Sequence, residues 1–147
     1  MQKIKSFVVS ILSFAVMMTS TTNLVASAGN TGDSYFYNWT ITSTSKYTTP
    51  REKLDYTSSC VKVTSAPSTS GMIVKVYASK TETSAKYNKT VGTPKIVTKS
   101  SSYTYLPNFV QEFADDMKWP QVYGSLGFTK SGVSNFTASG AWSPDSI

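Results

Sequence analysis

"MIVKVYAS", residues 72–79, decides the fold. Met72, Val74, Val76 and Ala78 fall on one parity, and Ile73, Lys75 and Tyr77 fall on the other. Side chains of a strand alternate between its two faces, so this segment is an extended strand with its apolar parity turned inward.

Working outward, the same period recurs. On the N-terminal side "SCVKVTS" (59–65) alternates through Val61 and Val63, and "APSTSG" (66–71) between the two runs is a turn by its Pro67 and Gly71. Further back, "SYFYNWTITST" (34–44) places Tyr35, Tyr37, Trp39 and Ile41 on one face and Phe36, Asn38, Thr40 and Thr42 on the other. "SKYTTPREKLDY" (45–56) breaks the pattern with Pro50 and the charged run Arg51–Asp55, which predicts a turn or long connection.

On the C-terminal side "KTETSAKYNKTVGT" (80–93) is polar and predicts a hairpin tip, with Val91 as the residue where pairing begins. "PKIVTK" (94–99) and "SYTYL" (102–106) are two short strands. "QVYGSLGFT" (121–129) puts Val122, Gly124, Leu126 and Phe128 on one parity, "KSGVS" (130–134) turns, and "NFTASGAW" (135–142) is the last strand. β-branched and aromatic residues dominate, and Leu and Ala are scarce. Six to eight short strands separated by turn signals predict an all-β fold, an antiparallel β-sandwich or a Greek-key barrel.

One stretch stands apart, "NFVQEFADDMKWP" (108–120). Phe109, Phe113 and Met117 recur at helical spacing with Val110 and Ala114 beside them. Asn108 is a competent N-cap with Gln111 at the third helical position, and Pro120 would end the helix. The expectation is a short helix or loop near 108–118, pinned by Phe109, Phe113 and Met117 over one end of the domain, with Asp115 and Asp116 toward solvent.

The first 28 residues precede the domain. "MQKIK" is a short basic region, "SFVVSILSFAVMM" an apolar run, and Ala26-Ser27-Ala28 the small-residue pattern of a leader cleavage site. The expectation is a signal peptide over 1–28 and a single secreted β domain over 29–147, placed outside the cell or in its envelope. Without Lys3 and Lys5, the 14 basic residues become 12 against 8 acidic ones, a formal charge of +4. With one arginine, Arg51, and no tight basic cluster, nucleic acid is a poor partner. A cell-wall polymer, a membrane surface or an envelope protein suits a secreted, mildly basic chain better.

Absent residue types narrow the chemistry. The chain has no histidine, which removes Ser-His-Asp and Cys-His catalysis and imidazole metal sites. Its lone cysteine, Cys60, has no internal disulfide partner and is expected as a buried free thiol. Asp115 and Asp116 would diverge by roughly 100° on a helix, which does not suit a glycosidase pair facing across a cleft, and no spaced Asp-x-Asp loop for calcium occurs. We therefore expect no enzyme, no cofactor and no metal. Asn38, Asn88 and Asn135 open Asn-x-Thr sequons that are read as strand and turn chemistry rather than glycan acceptors. Candidate binding residues are aromatic: Tyr35, Tyr37, Trp39, Trp119 and Trp142, which would stack against sugar rings if exposed together.

The closing segment "GFTKSGVSNFTASGAWSPDSI", with Thr137, Ser139, Gly140 and Trp142 in a T-x-S-G-x-W strand, resembles the C-terminal signature of a family of small secreted Gram-positive proteins of unknown function. Genes of that family often stand beside bacteriocin-type ABC exporters or immunity membrane proteins. The resemblance implies a non-enzymatic binding protein at the cell envelope in a transporter- or bacteriocin-linked system, and carries over no functional residue. An antimicrobial or membrane-active toxin and a carbohydrate-binding module are the alternative readings.

Overall fold

A computed structural model of the protein describes residues 29–146. The expected signal peptide, residues 1–28, lies outside the described residues. Ten strands and one helix follow in order: β1 (Ser34–Ile41), β2 (Lys46–Tyr47), β3 (Arg51–Glu52), β4 (Ser59–Ser65), β5 (Met72–Ser79), β6 (Tyr87–Asn88), β7 (Lys95–Val97), β8 (Thr104–Leu106), α1 (Val110–Asp116), β9 (Tyr123–Lys130) and β10 (Phe136–Ser143).

The strands form two antiparallel sheets packed face to face, an all-β sandwich rather than a closed barrel. The first sheet has the order β1-β10-β4-β8. In the second, β9 and β5 pair along their full length, from Met72↔Lys130 to Ser79↔Tyr123. Both edges of that central pair are broken strands: β2 and β3 lie end to end along β9, and β7 and β6 do the same along β5. Residues 45–56, expected as a plain connection, thus supply one edge. Their alternation is interrupted at Pro50, which lacks the N–H that an uninterrupted ladder needs, so each half is too short to show a period. Pairing in the 80–93 segment starts ahead of Val91, at Tyr87 and Asn88 on β5, and continues at Thr90, which bridges Asn108 while the Val91 amide bonds Pro107 O at 3.0 Å.

The core lies between the sheets. Val61 and Val63 of β4, Val74 and Val76 of β5, and Leu126 and Phe128 of β9 are completely buried, and each contributes about 1.5–3 kcal/mol by leaving water. The inward parity read from residues 72–79 is therefore correct, as is the 122–128 parity.

In β1 the expected faces are wrong. Phe36 is buried and Tyr35 and Tyr37 are exposed, whereas Trp39 and Ile41 turn inward again. The register against β10 slips between Phe36 and Trp39, where three steps on β1 match two on β10. Asn38 is the extra residue: its φ is 50°, a left-handed conformation that Asn tolerates better than most residues. Its amide bonds Ser139 Oγ at 2.9 Å. A one-residue bulge exchanges the faces of everything beyond it.

The helix begins one residue later than expected, with Phe109 at the N-cap position. Asn108 is instead buried, donating to Leu106 O and Ser59 Oγ and accepting the Val110 amide. The buried face is Val110 and Ala114, with Phe113 half-buried against them, while Phe109 and Met117 are about half exposed. Pinning by Phe109 and Met117 is therefore corrected: seven residues make only two turns, and the residues that reach the core are those over β5. Asp115 and Asp116 are exposed as expected.

Pro120 does not end the helix. Lys118 takes φ 54°, its amide bonds Asp115 O at 3.0 Å, and the Trp119 amide bonds Ala114 O at 2.9 Å. This is a Schellman stop with lysine at the position that glycine usually fills. Lys118→Gly is expected to raise stability by about 0.5–1 kcal/mol, read as an upward shift of the denaturation midpoint.

Candidate functional site

The outer face of the first sheet carries the only pair of predicted aromatics that is open to solvent. Tyr35 and Tyr37, 61% and 69% exposed, stand on the outward parity of β1 with rings 5.9 Å apart and 12° from parallel. Pairing then fixes what lies beside them. Tyr35 is opposite Ala141 of β10, and Ala141 is opposite Lys62 of β4. One step along, Ser143 is opposite Cys60, and Cys60 opposite Tyr105 of β8.

Small side chains in the middle strands and large ones at both edges make a groove. Cys60 forms its floor; it and its outward-facing neighbour Ala141 are almost completely buried. Tyr35 forms one wall, Tyr103 and Tyr105 the other, and Thr31, Asp33, Asp145 and Ser146 complete the lining; the volume is about 380 Å³. With strands about 4.8 Å apart, the backbones of β1 and β8 stand roughly 14 Å from each other, and the side chains narrow that span, since the Tyr103 hydroxyl reaches Asp33 beside β1.

The second wall is tied down electrostatically. The Tyr103 hydroxyl donates to the Asp33 carboxylate, which holds the phenol well above its ordinary pKa. Lys62 Nζ sits 4.7 Å from the centre of the Tyr103 ring, an attraction of about 0.5–1 kcal/mol at an exposed site. Lys62 also borders a second hollow of about 570 Å³, lined with Thr64, Lys99, Ser100 and Ser101. The tyrosine groove and this cationic hollow are neighbours, joined by the Lys62–Tyr103 contact. On the floor, burial pushes the Cys60 thiol upward in pKa, so it is a neutral, slow nucleophile near pH 7.

The other three predicted binding aromatics are not part of a platform. Trp142 is 1% exposed and belongs to the core. Trp39 is turned inward by the bulge and packs on Phe36 and Phe128, at 5.3 and 6.0 Å, with Lys46 Nζ 4.8 Å over its ring. Trp119 sits at the helix, 5.2 Å from Phe113 and 6.1 Å from Tyr87, covering one end of the sandwich. Alternation along single strands cannot tell these situations apart, because it gives parity but not which sheet face the parity meets.

Tyr103 and Tyr105 were missed as binding residues. A signal for them exists in the repeated Tyr-x-Tyr of "YFY" and "YTY", which puts a pair of rings on one face of each strand. A third aromatic cluster, Tyr47 and Tyr77, lies on the outer face of the second sheet with ring centres 5.1 Å apart. Gly127 makes room for it, since a Cβ there would come within 2.7 Å of the Tyr77 ring.

Asp115 and Asp116, the adjacent carboxylates of α1, do not line this groove. Asp115 accepts the Tyr56 hydroxyl on the exposed side of α1. Lys53 and Asp145 form a fully buried pair where the described residues begin and end, and Asp145 also borders the groove. No helix among the described residues is long and apolar enough to cross a membrane.

Residues 24–146 match the model of a family described as protein of unknown function (DUF2712). No curated protein and no solved structure matches the chain.

Proposed function

We propose, given that the chain belongs to the DUF2712 family of proteins of unknown function, that it is a secreted, non-catalytic binding protein of the cell envelope whose ligand is an anionic cell-wall glycopolymer. The observation that carries this reading is the groove on the outer face of the first sheet, where three tyrosines, Tyr35 with Tyr37 stacked beside it, Tyr103 and Tyr105, stand next to a hollow bearing Lys62 and Lys99. Tyrosine rings offer apolar faces to sugar rings and hydroxyls to their oxygens. The two ammonium groups supply attraction for phosphate or carboxylate repeats, which salt would screen. Secretion is supported by the leader-like residues 1–28, and the link to a bacteriocin-type exporter system by the likeness of the T-x-S-G-x-W strand. Gene neighbourhood is the direct check on that link.

Binding is tested by calorimetry with a phosphate-bearing wall polymer and, in parallel, with neutral peptidoglycan fragments. The charged polymer should bind and weaken with salt. Tyr35→Ala/Tyr37→Ala should lose about tenfold in affinity, two rings at about 0.5–1.5 kcal/mol each, with stability changed little because both residues are exposed. Occupancy of the groove should also slow alkylation of Cys60. Tryptophan fluorescence is a poor reporter, since none of the tryptophans lines the groove. Binding of neither polymer, with leakage of anionic vesicles instead, would favour the membrane-active alternative, for which the half-exposed Phe109 and Met117 offer the surface.

A further inference from the structure

Lys53, Asp55 and Asp145 meet beneath the start of the described chain. Lys53 Nζ donates to Asp145 Oδ1 and to Thr57 O at 2.7 Å and to Pro144 O at 2.9 Å. Those bonds use all three ammonium hydrogens, so the Asp55 carboxylate, 3.7 Å away, is a neighbour without a hydrogen bond from Lys53. Asp145 Oδ2 accepts the amides of Asn30 at 2.5 Å and Leu54 at 3.0 Å. Asp55 Oδ1 accepts the Thr57 amide and hydroxyl.

One carboxylate oxygen remains. Asp55 Oδ2 accepts no N–H or hydroxyl donor among the described residues, the Asp55 carboxyl lies within hydrogen-bonding reach of the Asp145 carboxyl, and Oδ2 faces Gly29. A Cβ on Gly29 would lie 2.4 Å from Asp55 Oδ2 and 3.0 Å from Asp145 Cβ, so no side chain fits there. Since N and Cβ are both bonded to Cα, the Gly29 nitrogen lies within about 5 Å of Asp55 Oδ2.

The charges do not balance. One lysine against two aspartates leaves an excess negative charge where Lys53 and Asp145 have fully buried side chains and Asp55 is 24% exposed. The other charged groups nearby are engaged elsewhere. Arg51 bonds Asn30 Oδ1 and the Gly32 carbonyl, Glu52 accepts from Gln121, and Asp33 accepts from Tyr103.

We propose that this cluster is the seat of the processed N-terminus: cleavage after Ala28 places the α-ammonium of Gly29 on Asp55 Oδ2 and brings the cluster to neutrality. A host leader peptidase supplies the step. Hydrolysis of the Ala28–Gly29 amide consumes one water, leaving a carboxylate on Ala28 and an amine on Gly29 that is protonated at neutral pH. Processing and folding are thereby coupled, because only a chain cut at this bond carries the cation that the cluster lacks. The proposal rests on the secretion reading for the position of the cut.

The sign of the pH dependence follows from the amine. An ordinary α-amino group titrates at about 7.7–8.0, and an opposite charge at this range raises it. The stabilisation is complete below about pH 7.5 and is lost as the pH rises through the raised folded value.

The test uses the full chain, exported from a bacterial host with its own leader and recovered from the medium, and a second sample cut in vitro by a site-specific protease immediately before Gly29. The exported protein should begin at Gly29. In both samples the α-amine should titrate about one unit above its value in urea, and cyanate should carbamylate it about tenfold more slowly near pH 7.5 than in the unfolded chain. Asp55→Asn should return both readings to ordinary values. Should that variant not fold, the comparison of folded with urea-unfolded wild-type protein decides alone. An exported protein that begins elsewhere overturns the cut position, and the proposal with it. An ordinary amine in the protein cut in vitro overturns the ion pair and leaves secretion standing.

Discussion

Lys53→Met is expected to lower the unfolding free energy by about 3–5 kcal/mol, the range found when one partner of a buried ion pair is removed. For a domain whose total stability is about 5–15 kcal/mol, that is a loss of about a fifth or more. The reason lies in what remains. Asp145 has no exposed side-chain surface, and without Lys53 its charge would be buried beside a second carboxylate. The Thr57 carbonyl would lose its donor at the same time, and the Pro144 carbonyl would keep only the Ser59 hydroxyl.

Removing both charges, Lys53→Met with Asp145→Leu, should recover only part of the loss. A buried pair replaced by apolar side chains is often neutral, but Asp145 also accepts two backbone amides, Asn30 and Leu54, and leucine would leave both unpaired at about 1–3 kcal/mol each. Denaturant unfolding of the three variants checks this order. Asp55 adds an acid limb to the wild type. Burial pushes its carboxyl up, but the Thr57 hydroxyl and amide, the hydrogen bond with the Asp145 carboxyl and the Lys53 charge outweigh burial and hold it below its usual value. Its contribution is therefore present above about pH 4, where the unfolded chain ionises, and is lost as the pH falls through the lowered folded value.

The second large effect is expected from Trp142→Ala, a loss of about 3–5 kcal/mol. Trp142 is 1% exposed and sits on β10, between Ser34 of β1 and Val61 of β4. Alanine would leave a cavity that these two strands cannot close without moving the whole sheet. The readout separates packing from recognition: the folded fraction of the variant should keep its affinity for the wall polymer, because the ring lies on the opposite side of the sheet from Tyr35 and Tyr105. A variant of unchanged stability that loses binding would mean that the groove is on the wrong face.

Much of the fold is legible from residues 59–65, 72–79 and 122–128 because inward and outward positions alternate along an unbroken strand, and that period is local. β1 resists the same reading for a local reason of a different kind. "YFYNWTI" alternates as well as any strand in the chain, yet the extra residue at Asn38 is defined only by its pairing with β10. The helix was recognisable from its spacing, but two turns contain so few apolar positions that the residues facing the core could not be separated from their neighbours. A lysine in the left-handed conformation at its end has no compositional mark, unlike the glycine that normally signals such a stop.

The binding groove was half legible. Tyr35 and Tyr37 were readable as candidates, while Tyr103 and Tyr105 became part of the same surface only because β10 and β4 separate β1 from β8. The ion cluster was not legible at all, since Lys53 and Asp145 stand 92 residues apart and each looks like an ordinary surface charge.

By itself, then, the amino-acid sequence determined the class of the fold, the position of nearly every long strand and the chemistry that a chain without histidine does not perform. These follow from side-chain alternation, backbone preference and residue inventory, all properties of neighbours along the chain. The tertiary structure alone decided which tyrosines share a groove, which tryptophans are core, and that two aspartates and a lysine close around Gly29. Those depend on strand order and on a single inserted residue, which are set by the packing of segments remote in sequence and leave no periodic trace in any one of them.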